Sequence, residues 1–183
     1  MPLYVDTFNW FVGAGVVLMQ ASIILIAGSF LFFRSRTNPI LVFFKRYTFI
    51  IGFLVGLGSI VLSLFYSSVI GFPPCELCWV QRIFLYPQAI LFGMELWKRD
   101  RTIVDHSIAL AFIGSLVSIF HIYVENGGAS SLACATGTAT EVSCAVRYVY
   151  QFSYVTIPVM ALSASVFIIF ILVNYKYMTR QTA

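Results

Sequence analysis

Two pairs of cysteines carry the chemistry that this sequence can do. Cys75 and Cys78 form a C-x-x-C inside the stretch Phe72-Pro73-Pro74-Cys75-Glu76-Leu77-Cys78-Trp79-Val80-Gln81-Arg82. The thiolate is the reactive form of cysteine, and a helix N-terminus or a nearby cation lowers the thiol pKa. This pair can have both. The prolines end one apolar run and Ile83-Phe84-Leu85-Tyr86 begins the next, which sets the dithiol where a membrane helix meets water. Arg82 follows Cys78 by four residues, so on a helix its guanidinium shares that face roughly 6 Å further along. A cation near the hydrocarbon region is costly and marks a functional site unless it snorkels to the headgroups. Its functional reading is a fixed cation for a thiolate and for an anionic quinone oxygen.

Cys134 and Cys144 stand ten positions apart in the one long polar stretch, Glu125 to Gln151. A disulfide closing so small a ring constrains the unfolded chain by only a few kcal/mol. The pair is therefore either a loop staple or a mobile disulfide that exchanges with the first dithiol. His121 is a lone polar residue near the end of an apolar run, at the same expected depth as Arg82. It is read either as a satisfied interfacial histidine or as a quinone or proton site. Asp105 and His106 fall at the opposite end of that run and receive no role.

Those groups need a membrane to position them. Of 183 residues, 60% are hydrophobic and 10% charged, with a mean hydropathy of +0.92. A soluble domain carries about 25% charged residues, so this composition is that of an integral membrane protein. The net charge of +4 does not read as a nucleic-acid footprint, because the basic residues fall in short clusters between apolar runs. Five spans are expected, at about 8–33, 47–70, 79–97, 103–123 and 152–175. No Lys or Arg precedes the first run, which argues for an uncleaved helix and against a signal peptide. Gly52-x-x-x-Gly56 reads as a close helix crossing inside the bundle rather than between two copies. Val142, Val146, Val149 and Tyr150 recur at helical spacing and predict a short helix on the membrane surface. Glu95, followed by Lys98 and Arg99, reads as half of an interfacial ion pair.

Nine of the eleven basic residues then share one side, which the positive-inside rule makes cytoplasmic. Only Arg82 and Arg147 remain outside, each near a cysteine pair. The N-terminus is expected outside, the C-terminus inside and all four cysteines outside, where an oxidising compartment favours disulfides.

With these residues in view, the chain resembles the DsbB/BdbC disulfide-bond-formation oxidoreductases. The resemblance rests on Pro74-Cys75-Glu76-Leu77-Cys78-Trp79-Val80-Gln81-Arg82, on His121-Ile122-Tyr123, and on Cys134 with Val142-Ser143-Cys144 and Thr156-Ile157-Pro158. It runs from about Tyr47 to Tyr175. It implies an all-α membrane protein: a four-helix bundle over 47–175, here preceded by an extra helix and basic loop (1–46) and followed by a cytoplasmic tail (176–183). It implies a bacterial cytoplasmic membrane and an enzyme that reoxidises a DsbA/BdbD-like thioredoxin-fold oxidase. Cys134 and Cys144 resemble the pair that meets that partner. Cys75 and Cys78 resemble the pair that meets a membrane quinone (ubiquinone or menaquinone), with Cys78 facing it as a thiolate. Arg82, His121 and Gln81 are the implied quinone contacts. The extra first helix departs from the family pattern, and nothing in the sequence assigns it a role.

Three other readings stay in play. One is quinol-driven reduction of disulfides, since sequence does not set potentials. A second is a structural zinc site of four thiolates. The third is a disulfide-stapled scaffold without turnover.

Overall fold

The computed structural model describes residues 3–32, 38–98, 102–128 and 143–180. The described residues form five α-helices: α1 (Leu3–Phe32), α2 (Pro39–Leu64), α3 (Glu76–Lys98), α4 (Ile103–Glu125) and α5 (Ile157–Arg180). The chain leaves α2 through a π-helical turn, Phe65–Val69. Among the described residues there is no strand beyond the isolated bridge Gln151–Val155. The fold is thus the expected four-helix bundle with one additional N-terminal helix.

Among the described residues, four helical segments, 5–32, 39–69, 103–125 and 157–180, are long and apolar enough to cross a membrane. α3, with 23 residues, is less apolar because it carries Gln81, Gln88 and Glu95. All three are buried in the bundle, as polar groups at membrane depth must be. Glu95, expected at the interface, therefore turns inward. Ile26, Leu41, Phe92, Ile168, Ile171 and Leu172 form the centre of the apolar core.

α2 begins earlier than its apolar run. Asn38 caps it, its side-chain oxygen accepting from the Ile40 N–H at 3.0 Å, and Pro39 occupies the first turn, where a missing N–H is harmless. Lys45 and Arg46 are consequently on the helix and not in the loop. Pro158 acts in the same way at the start of α5. That helix opens at Ile157, not at 152, and residues 151–155 form a turn with Phe152 and Ser153 at φ 51° and 64°.

The expected surface helix is not formed by its described residues: 143–150 make turns and irregular backbone, and Val142 lies outside the described residues. Side-chain contacts pull this segment onto the bundle. Val149 is buried, and Tyr148 stacks on Phe72 with ring centroids 4.8 Å apart. Arg147 donates to the Asn126 side-chain oxygen at 2.6 Å.

The glycine pair works as an internal crossing. A Cβ on Gly52 would fall 2.4 Å from the Phe92 ring, and one on Gly56 would fall 2.7 Å from the Ala89 backbone nitrogen. Two ends of the bundle result. At one, Lys176 of α5 pairs with Asp105 of α4, and Lys45 of α2 donates to the Met178 carbonyl of α5. The cysteines lie at the other.

Candidate redox site

The start of α3 places the dithiol. Cys75 sits just before the helix and its carbonyl accepts from the Trp79 N–H at 3.2 Å. Cys78, one turn on, brings its sulfur to 3.1 Å from that of Cys75, and both are free thiols. The pair lies between two different environments: Cys78 lines both, and Cys75 only the first.

On the Cys75 side is a small pocket shared with His121, Glu125, Ser143 and Cys144. His121 and Glu125 lie one turn apart near the end of α4. The Cys75 sulfur, the Cys144 sulfur and a ring nitrogen of His121 all lie within 4.8 Å of one another. His121 Nε2 is 3.8 Å from Cys75. Its Nδ1 is buried with no hydrogen-bond partner among the described residues. The hydrogen bond shared with Cys78 holds the Cys75 thiol well below its usual range; burial opposes this, and contact with His121 and its charge reinforce it. Cys144 is disulfide-bonded. Cys134, expected as the other member of that pair, lies outside the described residues. With its sulfur in a disulfide, Cys144 offers no thiolate to a metal, which weighs against the zinc reading.

Glu125 was not singled out in the sequence, where it marked only the edge of the polar stretch. Its carboxylate is buried, accepts from the Thr156 hydroxyl at 2.8 Å and lies 4.0 Å from Arg147 Nε. The available signal was its spacing of four from His121, which puts both on one helix face.

On the Cys78 side is an apolar cavity of about 460 Å³. α3 lines it with Cys78, Gln81, Arg82 and Tyr86, residues spaced to share one face, and α2 faces them with Ser59, Leu62 and Ser63. Arg82 does not hang free at the interface. Its Nε donates to the Ser63 hydroxyl at 2.9 Å, its Nη2 to the Ser63 carbonyl at 3.3 Å, and the guanidinium carbon lies 4.7 Å from the centre of the Trp79 ring. Gln81 is buried and donates to the Ser118 hydroxyl at 3.1 Å. Tyr86, also missed in the sequence, has a buried hydroxyl with no hydrogen-bond partner among the described residues. Arg82 and Gln81 therefore reach the cavity, whereas His121 stands across the dithiol from it.

The residues matched by a known family begin in the first turns of α2. The family described as Disulfide bond formation protein DsbB matches residues 45–175. The chain belongs to the DsbB family. It is 38% identical over 110 residues to the Probable disulfide formation protein C 1 of Bacillus anthracis, covering 60% of this chain and 75% of that protein. It is 35% identical over 119 residues to the Disulfide bond formation protein C of Bacillus subtilis (strain 168), covering 63% and 83%. A third relative is the SPbeta prophage-derived disulfide bond formation protein B of Bacillus subtilis, 34% identical over 113 residues and covering 62% and 74%. No solved structure matches the chain significantly. Family and fold together make this DsbB member a multi-pass membrane protein of disulfide bond formation, a disulfide oxidoreductase.

Proposed function

We propose that the protein reoxidises an extracytoplasmic thiol oxidase of thioredoxin fold and passes the electrons to a membrane quinone. The observation that carries this reading is the placement of the dithiol. Cys75 stands beside the sulfur of the Cys144 disulfide, while its partner Cys78 opens onto the apolar cavity that holds Arg82. Electrons arriving at one side of a dithiol can thus leave from the other.

In balanced form, the partner's two thiols become a disulfide and the Cys134–Cys144 disulfide becomes two thiols. That loop dithiol then reduces a Cys75–Cys78 disulfide and is itself reoxidised. A bound quinone supplies the final sink, taking up two electrons and two protons. The residues present fit such a group. The cavity lies within the ~300–1,000 Å³ usual for small-molecule sites, and the unpartnered Tyr86 hydroxyl and the Arg82 guanidinium supply donors at one end of it. Arg82, fixed by Ser63, stabilises negative charge arising at Cys78 and next to it as the dithiol is oxidised, more strongly in a water-poor site than in solution. On the exchange side, His121 and Glu125 are placed to hold and pass protons released at Cys75.

The test is anaerobic quinone reduction by the purified protein, with a reduced thioredoxin-fold oxidase as donor. One quinol should form for each donor dithiol oxidised. Donor oxidation without quinol, or quinol formed without either cysteine pair, would reject the reading.

A further inference from the structure

α1 lies outside the stretch that the DsbB family matches, yet it is built into the bundle. Asn9 is buried and accepts a hydrogen bond from the Tyr66 hydroxyl at 2.8 Å. Gln20 donates to the Ser163 hydroxyl of α5 at 2.9 Å and accepts from the Tyr154 hydroxyl at 2.7 Å. A helix serving only as a lipid anchor needs no such interhelical bonds, and unpaired polar groups in hydrocarbon are costly.

Between these two anchors, α1 presents Val12, Gly15, Val16 and Met19 to the cavity that starts at Cys78 and Arg82. On the facing helix, the residues lining the cavity run from Ser63 to Ile51, roughly 18 Å at 1.5 Å per residue. A quinone ring beside Arg82 leaves most of that length to be filled by something long and apolar. α1 packs chiefly on α5 and only lightly on α2, so α1 and α2 form two banks of a slot. Each bank has a cavity-lining glycine, Gly15 and Gly58, with open space where a Cβ would stand.

We infer that α1 is a specificity element for the electron acceptor: it closes one side of the cavity, and its Gly15–Met19 face seats the isoprenoid tail of the quinone. This rests on the quinone reading above and adds to it a task for the helix outside the matched region. A lipid acyl chain has the same chemistry as an isoprenoid tail, and the experiment separates them through tail length.

The experiment uses the full-length protein and two quinones with the same ring, one with a long isoprenoid tail and one with a single isoprene unit. Gly15→Leu should raise KM for the long-tailed quinone about tenfold, the equivalent of ~1.4 kcal/mol, and leave KM for the short-tailed one within about twofold. Gly58→Leu, on the opposite bank, should do the same. Gly28→Leu, on α1 but with open space around it and away from the cavity, should change neither. If Gly15→Leu does not fold, Met19→Ala, which widens the slot, should shift KM for the long-tailed quinone alone. Equal effects on both quinones would overturn the inference, as would a response to Gly58→Leu with none to Gly15→Leu or Met19→Ala. A wild-type protein indifferent to tail length would point to a lipid chain in the slot and also overturn it. Failure of the wild type to reduce either quinone is a different result and rejects the underlying quinone reading.

Discussion

His121 Nε2 lies 3.8 Å from the Cys75 sulfur, joining the end of α4 to the start of α3 where both side chains are buried. The contact adds to the shared hydrogen bond with Cys78 in keeping the Cys75 thiol acidic. A thiolate alkylates and a thiol does not, so reactivity falls as pH drops through the folded-state pKa. Because that pKa is depressed, Cys75 should stay reactive below the pH at which an ordinary cysteine, with a pKa near ~8.5, has been protonated. In reduced protein, site-resolved alkylation against pH should show this. His121→Phe should move the curve to higher pH, and an unmoved curve would mean that the imidazole only packs there.

The two cysteine pairs should be separable. Replacing Cys134 and Cys144 with Ser should abolish turnover with the protein donor. The Cys75–Cys78 dithiol, once reduced chemically, should still reduce quinone in that variant. Turnover with the protein donor that survives the double change makes the loop pair a staple.

The orientation expected from the basic residues can be tested at the sulfurs. The pairs Lys176–Asp105 and Lys45–Met178 mark one end of the bundle, and the dithiol lies at the other. In intact, reduced cells a membrane-impermeant thiol reagent should label the cysteines from outside. Labelling seen only after the membrane is opened reverses the topology.

Much of this was legible in the sequence because membrane helices declare themselves by length and apolarity, and a C-x-x-C at a helix start with an arginine one turn on has both features that favour a thiolate. What stayed hidden depended on which neighbour a helix face meets. Glu125 and Tyr86 read as an edge residue and a generic aromatic until α5 and α2 were placed against them. Asn9 and Gln20 lie within the first apolar run, yet they are the groups that tie α1 to its neighbours. The surface helix failed for a related reason: its periodic valines are equally served by irregular backbone folded onto the bundle, with Val149 buried and Tyr148 stacked on Phe72. Local spacing cannot tell a helix from a segment whose side chains have better partners elsewhere.

Helix packing makes its own prediction at Gly56. Its missing Cβ lets the Ala89 backbone nitrogen approach a position only 2.7 Å away. Backbone cannot give way as a flexible side chain can, so Gly56→Val should cost about 1–3 kcal/mol by overpacking. Gly15→Ala, with nothing within 4 Å of its added Cβ, should cost much less. Unfolding of the two variants in the same detergent compares them directly. Equal stability would mean that α2 and α3 do not cross as closely as described.

The last prediction concerns Arg82. Ser63 holds its guanidinium through two hydrogen bonds, and its central carbon lies 4.7 Å from the centre of the Trp79 ring, so the charge is fixed and not free to swing toward the headgroups. Electron transfer from the dithiol to a quinone builds negative charge at Cys78 and on the acceptor beside it. A preorganised cation stabilises both, and removing one such group typically costs about 10²–10³ in rate. Arg82→Ala should therefore lose quinone reduction by about that factor. Arg82→Lys should keep part of it, since the charge remains while the multi-donor fork that fits Ser63 is lost. Tyr86→Phe, which removes the unpartnered hydroxyl at the same end of the cavity, should cost less, on the order of tenfold or ~1.4 kcal/mol. Exchange between the protein donor and the loop pair should stay near normal in all three, because Arg82 and Tyr86 line the apolar cavity and Cys144 lines the other pocket. The measurement is quinone-reduction kinetics beside donor-exchange kinetics for each variant. Unchanged quinone kinetics in a folded Arg82→Ala protein would show that the guanidinium only holds α2 to α3, and the acceptor site would then have to be sought across the dithiol, around His121.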